Sequence, residues 1–353
     1  MRQRQLVDSV RRRVLESVKL RCLLLLLCCC SVSHAIGAED PATVRIGLMR
    51  EASAAPLLVA IDAGYFRPEG LNPQLAFFDN DESVSAAVAS GKVDIGMAAL
   101  SAAFYPNAAA HRLKIVASRS SDQTGFPMYA FLISKEARAA GFSSVRGLPD
   151  ARIGVADADS VEYYGLYSIA SRFKLDSGSI RTAALKSPEA ELSALSRHEI
   201  GAAILPFATA LHAARQGRSL LRLSDFAQWQ QGVVFASAQK IATDRTLMER
   251  FMRAYQRGTA EYALNFLGYD DGGDFIPGSH YAQYLDFIAH QVNMSSDTLA
   301  RTKTYCDRRG NLDAADIAKQ VQFWQNRGRL DKSMAAADLL DLSFIGEEHS
   351  ASH

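Results

Sequence analysis

From Val44 onward the chain alternates strand-like runs with helical patterns, and that alternation limits the fold more than any other feature. TVRIGLM (43–49), NPQLAFF (72–78), KVDIGMA (92–98), LKIVASRSS (113–121) and YAFLISK (129–135) read as strands, with amphipathic or small-residue helices after the first three. Pro56 suits a first helical position, Gly64 the position just past that helix, and Gly91 the end of the next. A second series begins at ARIGVADADS, continues through KSPEAELSALSRHEIGAAILPFATALHAARQG, and is closed by a return strand, GVVFASAQKI (232–241), before a largely helical remainder. Strand-then-helix repetition buries both faces of a mostly parallel sheet, so the fold class is α/β.

A chain of 353 residues, 48% of them hydrophobic, is long enough for two lobes. Its first 35 residues differ in kind. Arg2, Arg4, Arg11, Arg12, Arg13, Lys19 and Arg21 precede an apolar run too short to span a bilayer, and SVSHA closes it with small residues at Ser33 and Ala35. This pattern predicts a secretory signal peptide cleaved near Ala35 and hence a periplasmic protein. Cleavage would remove seven of 39 basic and two of 38 acidic residues, leaving 32 against 36, a formal charge of −4. A mildly acidic chain with no basic block excludes nucleic acid as a partner. Four of the five cysteines lie in the leader, so Cys306 alone remains and no internal disulfide is available.

Four phrases in order, PLLVAIDAGYFRPEGL, ASGKVDIGMAALSA, VRGLPDARIGVADADS and GNLDAADIAKQVQFWQNRGRLDKSMAAADLLDLSF, resemble the substrate-binding proteins of ABC importers, in the branch for nitrate, sulfonates, taurine and thiamine-pyrimidine precursors. The resemblance covers most of residues 43–345. It implies a two-lobed periplasmic-binding-protein fold of type II with a double-crossover hinge. Lobe 1 would comprise residues 36–128 and 235–353, and lobe 2 residues 129–234, with hinge strands near 129–135 and 232–238. It also implies a monomer without cofactor or metal that closes on a small organic solute and presents it to an inner-membrane ABC permease. A ligand-sensing partner of a signalling protein is the alternative. A pyrimidine-synthase-like enzyme is disfavoured, since those proteins depend on a cysteine-rich segment. The eight histidines are scattered, and no nucleophile elbow, phosphate loop or dinucleotide fingerprint occurs.

In open α/β sheets ligands bind beyond the carboxyl ends of the strands, where helices begin. This rule selects Arg50, Glu51 and Ser53 after the first strand, Asp79 and Asp81 after the second, and Ala99 and Ser101 after the third. In the second series it selects Asp159, Ser160, Tyr163 and Phe207, with Asp122 near the crossover. The small residues of MAALSAAFYPN (97–107) predict an exit with free amides and room for close approach. Asp159 and Glu162 have capping-box spacing, and Tyr163 and Phe207 offer flat walls. Acids crowd these exits, so the expected solute is an amine-bearing, heteroaromatic or hydroxylated molecule rather than an inorganic oxyanion.

Overall fold

The computed structural model describes residues 40–345, apart from 111, 216 and 217. The proposed leader and its cleavage position lie outside the described residues. Among these residues the strands are β1 (Ala42–Leu48), β2 (Leu71–Phe77), β3 (Ile95–Ala99), β4 (Leu113–Asp122), β5 (Tyr129–Ile133), β6 (Arg152–Val155), β7 (Arg181–Ala184), β8 (Ala202–Pro206), β9 (Ser219–Arg222) and β10 (Trp229–Ser237). The helices are α1 (Ala55–Asp62), α2 (Asp81–Ala89), α3 (Phe104–Ala110), α4 (Lys135–Ala139), α5 (Val161–Arg172), α6 (Pro188–Ser196), α7 (Phe207–Ala214), α8 (Ala238–Thr243), α9 (Arg245–Phe266), α10 (Tyr281–Val292), α11 (Ser296–Arg301) and α12 (Ala314–Asn326).

Two five-stranded sheets result, ordered β2-β1-β3-β10-β4 and β7-β6-β8-β5-β9. In the first, β1 runs parallel to β2 and β3, while β10 runs antiparallel to both β3 and β4. The second repeats the plan with β5 as the reversed strand. The chain therefore crosses between sheets twice, through residues 123–128 and 223–228. All of β10 belongs to the first sheet, so the return crossing precedes residues 232–238 instead of falling within them.

Packing follows the sequence periodicity. Helix α9 buries Met248, Phe251, Tyr255 and Tyr262 at helical spacing. It lies against α1, which is buried from Ala55 to Ala60. Gly258 permits this contact: a Cβ there would stand 2.4 Å from that of Ala60 and 2.7 Å from the Pro56 carbonyl. Gly64 has φ +71°, the left-handed conformation that terminates α1.

Helix α12 ties the two sheets together. Asp316 accepts from the Gln230 amide of β10 at 2.9 Å and from the Tyr164 hydroxyl of α5 at 2.7 Å. Phe323 packs against Tyr163, Tyr164 and Tyr167 of the same helix α5. A further link joins the lobes directly, from the Ala102 amide to the Asp159 carbonyl at 2.9 Å.

Candidate functional site

Away from that knitted edge, the lobes enclose a cleft of about 210 Å³. The first lobe contributes residues 50–53, Gln231, Met294, Thr302 and Thr304; the second contributes residues 127–129 and 206–208. These segments are the exits of β1 and β8 and the crossover, so the topology itself brings them together. The volume is below the ~300–1,000 Å³ of drug-sized pockets and suits a small solute.

The floor on the first-lobe side is charged. Arg119, on β4, is 1% exposed, and its Nη2 lies 3.3 Å from Glu51 Oε2. The same nitrogen is 3.5 Å from Gln231 Oε1, which also accepts from the Ser120 hydroxyl at 2.7 Å. Ser53 donates to Glu51 Oε2 at 3.0 Å, so the carboxylate is held from two sides. Gly232 makes space for the guanidinium: a Cβ there would be 2.5 Å from Arg119 Nε. Asp81 accepts from the Ala99 amide at 2.8 Å. Burial raises its carboxyl above the ordinary value, Arg119 draws it down, and Glu51 raises it further.

The second lobe contributes acids without a cation. Glu162 is 6% exposed in the first turn of α5. Burial pushes it up to about 7, against a hydrogen bond from Ser160 and with a push from Asp157. Glu191, on α6, is fully buried, and neither carboxylate oxygen has a hydrogen-bond partner. Burial, with the charges of Glu162 and Glu189, pushes it up to about 8. The Tyr129 hydroxyl is raised well above its usual value by burial and then by Glu162, Glu51 and Asp81, while Gln231 pulls it back. Carboxylates of both lobes therefore act on one cleft residue.

The residues selected by strand exits divide into several groups. Arg50, Glu51, Ser53 and Phe207 line the cleft. Arg50 stacks on Phe77, 3.8 Å from its centroid, and donates to the Gln291 carbonyl. Asp81 and Ala99 bond to each other behind the floor. Asp122 is fully buried and clasps the crossover, accepting from the Met128 amide at 3.0 Å. Asp79 is exposed beside Asn80, which is the residue that caps α2. Ser101 is half-buried and its carbonyl accepts from Phe104.

Four of the amides expected to be free at MAALSAAFYPN are occupied. Ala99 donates to Asp81, Leu100 to the Gln231 carbonyl, Ala102 to the Asp159 carbonyl and Phe104 to Ser101. The capping box is likewise not formed. Ser160 takes the N-cap position of α5 without bonding its amides and donates its hydroxyl to the Asp157 carbonyl at 2.7 Å, whereas Asp159 is drawn outward to Arg329 at 2.7 Å. Tyr163 stacks on Phe323 with centroids 6.4 Å apart and carries Arg327 4.6 Å above its ring. It lines a groove on the knitted edge and not the cleft.

Arg119, Tyr129, Gln231 and Glu191 escape the strand-exit rule. Arg119 and Gln231 sit inside strands, Arg119 between Ser118 and Ser120 and Gln231 beside Gln230, so no contrast with apolar neighbours marks them. Glu191 falls three and four residues before the buried Ala194 and Leu195, which places it on the inward face of its helix.

This architecture of two sheets, two crossings and a cleft at the strand exits is the periplasmic-binding-protein fold. The NMT1/THI5-like family model matches residues 51–265, and the chain belongs to that family. A search of curated protein sequences finds no match. Among solved structures the chain is similar to the ligand-binding component of an ABC-type import system from Staphylococcus aureus, with a TM-score of 0.63 and 16% identity over 86% of this chain and 97% of that one. It is similar to the periplasmic aliphatic sulphonate binding protein SsuA from Escherichia coli, with a TM-score of 0.62 and 16% identity over 83% and 95%. The desulfurization enzyme DSZB is also similar, at a TM-score of 0.56 and 12% identity over 86% and 97%.

Proposed function

We propose that the chain is an exported solute-binding protein that captures a small organic molecule between its lobes and delivers it, as a monomer, to an inner-membrane ABC permease from the periplasm. The observation that carries this reading is the cleft of about 210 Å³ lined by both lobes where β1 and β8 end. The solved structures with similar folds include proteins named for ligand binding in import and for sulphonate binding, which supports the class. DSZB is named an enzyme, so the binding reading rests on this chain's own site. That site holds an ion-paired carboxylate, a buried arginine, a tyrosine and an amide side chain, and at the neighbouring β3 exit the amides of Ala99, Leu100 and Ala102 are spent on the protein. An organic solute with donors of its own fits these groups better than nitrate does.

Binding works through differential affinity. A solute touching residues 50–53 and residues 206–208 together stabilises the closed arrangement by as much as it prefers closed over open. A thermal-shift screen of amines, pyrimidines, aromatic acids and sulfonates tests the reading, since a ligand of the native state raises Tm. The expected result is at least one hit that disappears in Ala208→Trp, which fills the cleft. Absence of any hit, or a hit unaffected by that substitution, contradicts the reading.

A further inference from the structure

Of two buried acids in the second lobe, Glu162 takes a hydrogen bond from Ser160 and Glu191 takes none. Strands β6 and β7 are parallel neighbours, and their exits are stitched by Leu185 donating to the Val155 carbonyl and Lys186 to the Ala156 carbonyl, each at 2.9 Å. Helices α5 and α6 therefore start side by side, and each turns a glutamate inward, Glu162 and Glu191. Buried polar groups in folded proteins are hydrogen-bonded, and one left bare marks a bound group or a strained functional site. Glu191 is fully buried with both oxygens bare. Among the described residues no cation is ion-paired to either glutamate; the nearby Lys186 is spent on Asp157 at 3.6 Å on the surface.

We propose that Glu162 and Glu191 form the receptor for a cationic nitrogen group, an ammonium or amidinium, carried by the solute that enters beside Tyr129. The inference rests on the solute-binding reading and deepens it by naming the ligand's charge. Two carboxylates bring two negative charges, against about half a positive charge from each helix N-terminus, so the pair attracts a cation on balance. Each oxygen accepts from an N–H donor, and an ammonium or amidinium carries several. Tyr129 pairs with Pro206 at the carboxyl end of β8, and β8 runs parallel to β6 and β6 to β7, so the tyrosine and the starts of α5 and α6 lie at one edge of the second sheet.

Burial holds a proton on the pair near neutrality, and at Glu191 the charge of Glu162 adds to that effect. The remaining acids facing the pair, Asp157 before α5 and Glu189 on α6, reinforce it. An arriving cation replaces the proton, which leaves to buffer, so charge is conserved and no covalent step is involved.

Titration calorimetry tests this with benzylamine, putrescine and agmatine, and with ethanesulfonate and nitrate as anionic counterparts, at neutral pH in two buffers of different ionisation enthalpy. The expected result is binding of at least one amine with release of about one proton per molecule. Glu191→Gln and Glu162→Gln should each weaken it by about tenfold or more and remove the proton release, while the exposed Glu199→Gln changes neither. Thermal melts of the two variants establish that they fold; glutamine keeps the shape of the side chain. Amine binding that survives both substitutions overturns the proposal, and so does the failure of every amine to bind. In that second case, binding of ethanesulfonate or nitrate leaves the solute-binding reading standing, whereas no hit in the thermal-shift screen removes both.

Discussion

Glu51 and Asp81 of the first lobe are held differently from Glu162 and Glu191 of the second. In the first, Glu51 is paired with Arg119 and held by Ser53, and Asp81 takes the Ala99 amide. In the second, Glu162 and Glu191 are buried with no positive partner, and Glu191 lacks even a hydrogen bond. Each acid of the first set has a partner, although Arg119 Nε is left bare. The second is unfinished, and a protein that leaves two carboxylates in this condition gives up stability that an incoming group can restore.

The largest effect should come from breaking the partnered set. Arg119→Met leaves Glu51 without its cation beside the cleft; water still reaches that carboxylate, whose side chain is 36% exposed, so the loss should be about 3 kcal/mol, the low end for breaking a buried pair. Urea unfolding should show that loss.

The same comparison predicts the opposite sign in the second lobe. The Glu191 carboxyl is pushed up to about 8 from an ordinary 4.5, so as pH rises above about 4.5 the unfolded chain loses this proton before the folded one does. Native stability therefore falls between those two values. Glu191→Gln removes the penalty, and its advantage over the natural chain should grow from near zero around pH 4 to on the order of 3 kcal/mol around pH 8, read by urea unfolding at both ends. An advantage that does not change with pH would mean the two lobes do not differ as described.

A smaller change sharpens the floor. Gly232→Ala places a methyl 2.5 Å from Arg119 Nε, forces the guanidinium away from Glu51, and should cost about 1–3 kcal/mol in the same assay. Smallest of all, Asp159→Ala removes the surface ion pair to Arg329 on the knitted edge and should cost less than about 1 kcal/mol.

The alternation of strand and helix and the small-residue turns at Gly64 and Gly91 made the α/β class readable from sequence, because period and backbone conformation are local properties. The cleft residues found by the strand-exit rule, Arg50, Glu51, Ser53 and Phe207, were readable for the same reason: each follows directly on a strand. Tyr163 also follows a strand exit, yet α12 returns from 160 residues later to cover it with Phe323. No local pattern announces such a contact. Arg119 and Gln231 were hidden in strand interiors, where the reversed strand β10 inserted between β3 and β4 brings them together. Glu191 looked like an ordinary charge in a helical first turn, and only its inward face reveals its burial.

Hydrogen exchange with and without a solute from the screen tests the central claim most directly. The account predicts that residues 50–53 and 302–304 of the first lobe and 127–131 and 206–208 of the second gain protection together as the solute saturates. Protection confined to one lobe, or appearing at residues 163–172 and 319–327 on the knitted edge instead, would contradict it.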